Sequence, residues 1–311
     1  MSYLNSFNGN DVDVVPSSTS YFSDPASGLD PKLFEGMHLR PWVRNSIVRM
    51  LFEHLAVLYN SPNRWVSAWL AGSGVSYQWE SVREPGDLDC LVGLDYIAFR
   101  RSNSDYSGLS DLEIARMFNE SFHDDLMPDT ADWEGYELTF YVNPQSNIVD
   151  INPYAAYDLI NDDWTVEPTR SQNPPYSRVW EQRTSKDEET AVALVRKYSQ
   201  AYSEFKNSLN NPITRVNAER KLQLAIDQAS TFYEELHTGR KTAFSKTGAG
   251  YSDFNNYRWQ AGKQSGIVQA LRLIKDYRDE ARKTNDLELY GVEMPTPDTL
   301  IRRSATHRIT Q

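Results

Sequence analysis

Two acidic residues separated by one position are the feature of this sequence most suited to chemistry. Asp87 and Asp89 lie on either side of Leu88, and the apolar run Leu91-Val92 follows. On a β-strand, residues two positions apart share one face and lie about 7 Å apart along the strand. Two carboxylates at this spacing repel each other unless a cation lies between them. A hard divalent cation such as Mg²⁺ prefers such oxygen ligands, so the pair predicts a metal site.

A glycine-containing turn precedes the acidic pair. Gly72-Ser73-Gly74 follows the apolar stretch at residues 65–70. Glycine has no Cβ and tolerates positive φ, so the backbone can approach a ligand closely. If a helix begins just after the turn, its free N–H groups would favour a phosphate. A phosphate-binding turn beside paired carboxylates predicts phosphoryl or nucleotidyl transfer.

Other interpretations of these residues are weaker. A Gly-Ser-Gly sequence alone is mostly a turn, and an Asp-x-Asp sequence alone is commonly a surface pair, but a surface pair seldom opens so apolar a strand. No histidine is placed to activate Ser73, which argues against a serine hydrolase and favours a phosphate-contacting role. His123-Asp124-Asp125 suggests a metal site, yet its turn-like context before Pro128 favours a solvated cluster.

The turn and the acidic pair together resemble the active-site signature of the DNA polymerase β nucleotidyltransferase superfamily. That superfamily includes CCA-adding enzymes, oligoadenylate synthetases, antibiotic nucleotidyltransferases and bacterial signalling-nucleotide synthases, and the pattern here is most similar to the first two. The family has a third carboxylate on a later strand. Residues 147–154 (NIVDINPY) resemble its apolar-Asp-apolar-x-Pro segment and indicate Asp150. The resemblance covers about residues 40–160 and implies an α+β fold, with a polymerase-β-like core of mixed sheet and flanking helices before a C-terminal helical domain.

The same resemblance implies a metal-dependent nucleotidyltransferase that moves a nucleoside monophosphate from a triphosphate to a hydroxyl and releases pyrophosphate. Two Mg²⁺ or Mn²⁺ ions would be held by Asp87, Asp89 and Asp150, and Asp150 would accept the proton of the acceptor hydroxyl. ATP is the default nucleotide, and the acceptor is a nucleotide, an RNA end, a protein or a small molecule. The usual Gly-Thr or Ser-Thr is absent after the turn. A catalytically inactive nucleotide-binding or regulatory module of the same fold is therefore the alternative, and a structural protein with incidental acidic residues is a third interpretation.

A second candidate site lies at residues 240–263. This stretch holds five basic residues and one acidic residue in a chain of net charge −11. A base could stack on the rings of Tyr251, Phe254, Tyr257 and Trp259 in the same stretch. In the enzymes that it resembles, basic residues of the helical domain help to bind the triphosphate. Lys246, Arg258 and Lys263 are therefore predicted to bind nucleotide. The alternative, equally open, is a solvated helix face with aromatic packing.

Composition limits the classes of function. The chain has 311 residues, of which 40% are hydrophobic and 24% charged, and its net charge of −11 argues against broad nucleic-acid binding. It favours a nucleotide or another compact acceptor over long RNA. The single cysteine, Cys90, excludes an intramolecular disulfide and a cysteine-based zinc site, and its place in the strand favours a small core residue. No stretch approaches the roughly 20 apolar residues of a membrane span, and the N-terminus lacks a signal-peptide pattern, so a cytoplasmic protein is expected.

The pattern of apolar residues predicts the elements around these sites. An apolar stripe at helical spacing predicts a helix from Pro41 to about Leu58, and strands are expected at residues 65–70 and 87–94. Ser110 and Glu113 form a capping box that would open another helix. The predicted domains are a flexible arm (1–35), a nucleotidyltransferase catalytic domain (36–165), a linker (166–185), a helical domain (186–290) and a C-terminal tail (291–311).

Two apolar segments around a turn predict a β-hairpin that bears the third carboxylate. Residues 136–142 and 148–151 flank the polar residues 143–147. Glu137 on the first arm competes with Asp150 on the second, but strand alternation places Glu137 on the solvated face. Asp150 lies between two apolar residues, where an acid costs free energy unless it is paired or metal-bound. Asp150 is therefore preferred.

Three or more helices are predicted in the second domain. Ser185 and Glu188 form a capping box that would open the first helix. The second spans about residues 212–237 and ends at Gly239, which would serve as its C-cap. The third begins near Ser252 or Asp253 and fades by residues 284–285.

Overall fold

The computed structural model describes residues 3–17, 25–79, 86–143, 148, 151–170, 177–208 and 212–290. The chain forms two compact units, which we name the helical unit and the sheet unit. The helical unit comprises Met1–Ser20, Pro174–Ala243 and Tyr251–Met294. The sheet unit comprises Tyr21–Asn173, Phe244–Gly250 and Pro295–Gln311. Among the described residues, no helix has both the length and the apolar character needed to cross a membrane.

The sheet unit combines two β-sheets with several helices. In chain order its elements are β1 (Phe34–Glu35), β2 (His38–Leu39), α1 (Pro41–Leu58), β3 (Val66–Ala71), β4 (Gly86–Leu94), α2 (Tyr96–Ser102), α3 (Asp111–Ser121), a π-helical turn (Phe122–Leu126), α4 (Met127–Thr130), β5 (Tyr136–Val142), β6 (Ala156–Asp158) and β7 (Asp163–Val166). Strands β1 and β2 form a two-stranded sheet, and the other five form a sheet in the order β5-β4-β3-β6-β7.

The five-stranded sheet is mixed. Strand β4 pairs antiparallel with β3 on one side and parallel with β5 on the other. Strands β6 and β7 continue the sheet beyond β3 with antiparallel pairing. The expectation of an α+β protein with a mixed sheet and flanking helices is therefore confirmed.

The predicted elements before residue 122 form where the local signals place them. Helix α1 begins at Pro41 and buries residues spaced four apart, Val43, Ile47, Leu51 and Leu55. The capping box also forms, because Ser110 Oγ accepts from Glu113 N at 3.3 Å and Ser110 N donates to Glu113 Oε2 at 2.8 Å. Helical periodicity and a capping residue are local properties, and the sequence carries them without reference to the rest of the fold.

The predicted hairpin is wrong for the residues that the structure describes. Strand β5 is paired with β4 in parallel, and Ile148 has a 3₁₀ conformation, not that of a strand. Ile151 forms an isolated antiparallel bridge with Ser245, far along the chain. Strand propensity alone does not identify the partner strand, and here both segments bind partners other than each other. Asp150, Val149 and residues 144–147 lie outside the described residues.

In the part of the helical unit that the structure describes there are four α-helices, α5 (Arg178–Ser208), α6 (Pro212–Ala243), α7 (Phe254–Gln264) and α8 (Ile267–Tyr290). Helix α5 begins within the stretch predicted as a linker. Ser185 therefore lies inside the helix, where its hydroxyl donates to Glu181 O at 2.9 Å, and the predicted capping box is wrong. The first turn is held by packing, because the Trp180 ring lies 5.5 Å from Phe254 and 5.4 Å from Tyr257.

The structure differs from two further predictions for this unit. Helix α6 continues past Gly239, which is not a C-cap: a methyl group there would lie 3.2 Å from Asn255 Oδ1 at the start of α7. The single third helix is two helices, because Gly266 adopts φ +84° between α7 and α8. Its predicted start is confirmed, since Asp253 caps α7 by accepting from Asn255 N at 2.8 Å.

The N-terminal arm differs from the flexible segment that its composition predicted. Leu4, Phe7 and Val12 are buried in the hydrophobic core of the helical unit. Phe7 packs edge-on against Tyr198 and Tyr202 at ring distances of 6.5 and 5.9 Å. A few apolar residues within a polar stretch are therefore enough to hold this segment, although they show no period along the sequence.

Candidate functional site

Strand β3 delivers the chain into the predicted phosphate-binding turn. Gly72 follows Ala71 with φ +92° and ψ −164°, a conformation that is essentially restricted to glycine. Its N–H donates to Ala155 O at 3.2 Å. A 3₁₀ turn of three residues, Ser73–Val75, follows. Among the described residues, no α-helix follows this turn before β4, so the condition of a helix N-terminus behind the turn is not met there.

The turn lies directly beside the acidic pair. A methyl group on Gly72 would lie 2.9 Å from Asp89 Oδ2, and one on Gly74 would lie 2.7 Å from the Asp87 backbone oxygen. Gly74 is buried, whereas Gly72 and Ser73 are half-buried. The structure thus brings Gly72, Ser73, Gly74 and both acids together, with Gly72-Ser73 as the accessible part of the turn.

Asp87 and Asp89 lie on one face of β4, which we name the carboxylate face. Leu88 and Cys90 alternate with them and are fully buried on the opposite face. Burial raises the pKa of the Cys90 thiol, and the charge of Asp89 raises it further, so this cysteine is an inert core residue at neutral pH. The predicted alternation along the strand is therefore what the structure has.

The neighbouring strands add polar residues to the carboxylate face. In the parallel pairing of β4 and β5, Glu137 lies opposite Asp87, and Thr139 lies opposite Asp89. Paired residues of adjacent strands project to the same face of a sheet. Glu137 is therefore an immediate neighbour of Asp87 on the carboxylate face. Strand alternation predicted the solvated face of β5 for Glu137, and the pairing of the strands shows that this face continues the carboxylate face of β4.

The residues on either side of Asp150 in the sequence pack on this same face. Ile148 is 2% exposed and belongs to a small apolar cluster with Trp69 and Leu91, and Ile151 packs against that cluster. Trp69 and Leu91 are carboxylate-face residues, two positions from Ala71 and Asp89 respectively. The segment that contains the predicted third carboxylate thus has both of its described flanks on the face that bears the other two.

The donor set suits a magnesium ion. Asp87 and Asp89 present hard carboxylate oxygens from half-buried positions. Mg²⁺ is commonly held by one or two carboxylates together with the phosphates of a substrate. Among the described residues, no group of three or more His, Cys, Asp or Glu side chains is arranged to hold a metal. Asp150 lies outside the residues to which this statement applies.

The predicted basic residues are divided between the two units. Lys246 is exposed and lies in the sheet unit, together with Asp87 and Asp89. Lys263 is exposed on α7, in the helical unit. Proximity in the sequence therefore does not place these residues in one unit.

Arg258, also in the helical unit, is engaged by two acidic side chains. Its Nε and Nη2 donate to the two carboxylate oxygens of Asp187 at 2.6 and 2.7 Å, and its Nη1 donates to Glu235 at 2.7 Å. These bonds, that to Asp187 first, raise the pKa of the guanidinium. A bidentate pair with a side chain that is only 14% exposed favours a structural role for Arg258.

Two other features of the sheet unit lie apart from the acidic pair. His123 and Asp124 contact each other at 3.0 Å with 75% and 53% of their side chains exposed, as the solvated interpretation predicts. An open pocket of about 430 Å³ is lined by Arg64, Ser67 and Gly93, among others. Gly93 lies roughly 13 Å along β4 from Asp89, so this pocket does not contain the carboxylates.

The segment Phe244–Gly250 is the part of this region that the sequence pattern did not reveal. The sequence predicted residues 240–263 as a nucleotide-binding segment or a solvated helix face and did not indicate a partner for this part of it. In the structure Asn152 N donates to Phe244 O at 3.1 Å, and the Tyr154 and Phe244 rings lie 5.2 Å apart. No periodicity or motif marks such a contact, because the partners are about 90 residues apart in the chain.

Comparisons with known proteins found no family model, no curated protein and no solved structure that matches this chain.

Proposed function

We propose that this protein is a metal-dependent nucleotidyltransferase, which transfers a nucleoside monophosphate from a nucleoside triphosphate to a hydroxyl acceptor. The observation that carries the proposal is the seating of Gly72, in a conformation restricted to glycine, against the carboxylate of Asp89. A turn that only glycine can form is thereby combined with two carboxylates that share one strand face. This is the arrangement that phosphate binding and metal binding require at neighbouring positions.

Each residue has a distinct role in the proposal. The accessible backbone of Gly72 and Ser73 binds the phosphates, and Asp87 and Asp89 hold Mg²⁺ or Mn²⁺ as a platform, with Asp150 as the third carboxylate. The bound metal would neutralise phosphate charge and lower the pKa of the acceptor hydroxyl. The acceptor oxygen forms a bond to the α-phosphorus while the bond to pyrophosphate breaks, and Asp150 takes the hydroxyl proton.

A screen of nucleotides tests the proposal directly. The protein is incubated with each of the four nucleoside triphosphates, ATP first, and Mg²⁺ or Mn²⁺, and products are identified by mass. We expect pyrophosphate and a product heavier by one nucleoside monophosphate, both of which should be lost with Asp87→Asn. The absence of metal-dependent triphosphate binding would contradict the proposal. Metal-dependent binding without release of pyrophosphate would instead indicate an inactive nucleotide-binding module.

The third carboxylate is tested by a pair of variants. Asp150→Asn keeps the shape and removes the charge, so turnover should fall by a factor on the order of 10²–10³ while nucleotide still binds. Glu137→Gln should change turnover by less than about threefold, because it removes only a like charge opposite Asp87. The reverse result, measured as initial rates of pyrophosphate release, would assign the third position to Glu137.

A further inference from the structure

The segment Phe244–Gly250 belongs to the sheet unit, although the helices before and after it, α6 and α7, belong to the helical unit. Ser245 forms an antiparallel bridge with Ile151. The backbone N–H of Asn152 donates to Phe244 O at 3.1 Å. The first residues of the segment are thus joined to the sheet unit by backbone pairing.

The second half of the segment is attached to the same residue. Asn152 Nδ2 donates to Gly248 O at 3.4 Å. Gly250 is buried with φ +60°, and a methyl group there would lie 3.0 Å from both Asn152 O and Asn152 Nδ2. Asn152 therefore holds the segment on both sides of the exposed Lys246.

The stretch from Asn152 to Ala155 contacts both the Phe244–Gly250 segment and the Gly72 turn. Three residues after Asn152, Ala155 O accepts from Gly72 N at 3.2 Å. Ala156 then pairs with Ala71, which pairs with Asp89 on its other side. A continuous path of backbone bonds joins the Lys246 segment to the Gly72 turn.

We propose that Asn152 is a positioning residue, which fixes the Phe244–Gly250 segment on the sheet unit so that Lys246 can bind the polyphosphate of the substrate. The role in substrate binding rests on the proposed function, whereas the attachment of the segment does not. Asn152 acts through Lys246, so its loss should weaken polyphosphate binding without altering the turn or the acidic pair.

The attachment is tested by limited proteolysis of the full chain with trypsin, followed by mass analysis of cleavage after Lys246. Asn152→Ala should accelerate this cleavage about fivefold, the factor that corresponds to one ordinary hydrogen bond. Gly250→Ala should accelerate it at least as much, because the methyl group would meet the Asn152 backbone. The matched control is Gly36→Ala, since Gly36 has a similar φ of +64° with nothing within 4 Å of the added methyl. Equal cleavage of Lys246 in all four proteins would overturn the proposal.

The positioning role is tested by a double-variant cycle with Asn152→Ala and Lys246→Ala, which measures the Kd of inorganic tripolyphosphate with Mg²⁺. Each single variant should raise the Kd about fivefold, and the double variant should be no weaker than the weaker single variant. Additive effects, or no effect of Asn152→Ala, would overturn the role of Asn152 while leaving the proposed function intact. Failure of the proposed catalytic activity alone has a different signature, that of an inactive nucleotide-binding module, in which the cycle is coupled but no pyrophosphate is released from any nucleotide.

Discussion

The two faces of the five-stranded sheet use the same strands for different purposes. On one face, Leu88 and Cys90 of β4 and Leu138 of β5 are buried in the main hydrophobic core. On the other, Asp87 and Asp89 alternate with them and stay half-buried. Because side chains alternate from face to face along a strand, the buried residues fix the register that holds the acids in place.

The carboxylate face is itself divided. Near the middle of the strands it carries the small apolar cluster that includes Trp69, Leu91 and Ile148. The acids lie at the end of the sheet where β3 stops and β4 and β5 begin. Polar residues are therefore concentrated at the strand ends, apart from the apolar cluster. The comparison of the two faces predicts that changes on them have separable effects.

The largest effect is expected on the core face. Leu138→Ala removes a fully buried side chain and should lower the free energy of unfolding by about 2–5 kcal/mol. The affinity of the remaining folded protein for a triphosphate should stay within about twofold of the parent, because no group on the carboxylate face changes. Urea denaturation and equilibrium binding measure the two quantities. A large loss of affinity with little loss of stability would break the separation between the faces.

Asp89→Asn should show the opposite behaviour. The substitution keeps the side-chain shape and removes one charge, so pyrophosphate release should fall by a factor on the order of 10²–10³. The free energy of unfolding should change by less than about 0.5 kcal/mol, since the residue is only half-buried. Asp163→Asn, an exposed acid in β7, is the control with unchanged rate. Full activity of Asp89→Asn would show that the acidic pair does not take part in catalysis.

Gly72→Ala should give a smaller effect that links the turn to the acid. The methyl group is strained at φ +92° and displaces the Asp89 carboxylate, so triphosphate affinity should fall about tenfold, with a stability loss of about 1–3 kcal/mol. Gly28→Ala is the control, because nothing lies within 4 Å of its added methyl. Calorimetric binding and thermal melting distinguish the two variants. An unchanged Kd for folded Gly72→Ala would show that the turn does not bind phosphate.

The smallest effect is expected from the titration of Cys90, which should not change the pH dependence of the free energy of unfolding near neutral pH. Because burial raises the pKa of this thiol in the folded protein, the stabilisation linked to its protonated form is complete below the unfolded pKa of about 8.5. It is lost as the pH rises further, at up to about 1.4 kcal/mol per pH unit. Denaturation of Cys90→Ala and the parent should therefore show equal slopes between pH 6 and 8 and a steeper loss for the parent above pH 9. Rapid alkylation of Cys90 in the folded protein at pH 8 would contradict its burial.

Local signals in the sequence determined the helix at Pro41, the capping box at Ser110 and the strands that bear the turn and the acidic pair. Each depends on residues within a few positions of one another, so the sequence carries the information directly. The contact between Gly72 and Asp89 is local in part. It forms because the antiparallel pairing of β3 with β4 places the end of β3 beside the start of β4.

Only the tertiary structure decided which distant segments meet. It placed β5 parallel to β4, so that Glu137 adjoins Asp87, and it paired Arg258 with Asp187. It also placed Phe244–Gly250 in the sheet unit, although the helices that precede and follow this segment in the chain belong to the helical unit. These contacts join residues tens of positions apart. Their formation depends on the packing of whole elements, which no local period, cap or charge pattern specifies.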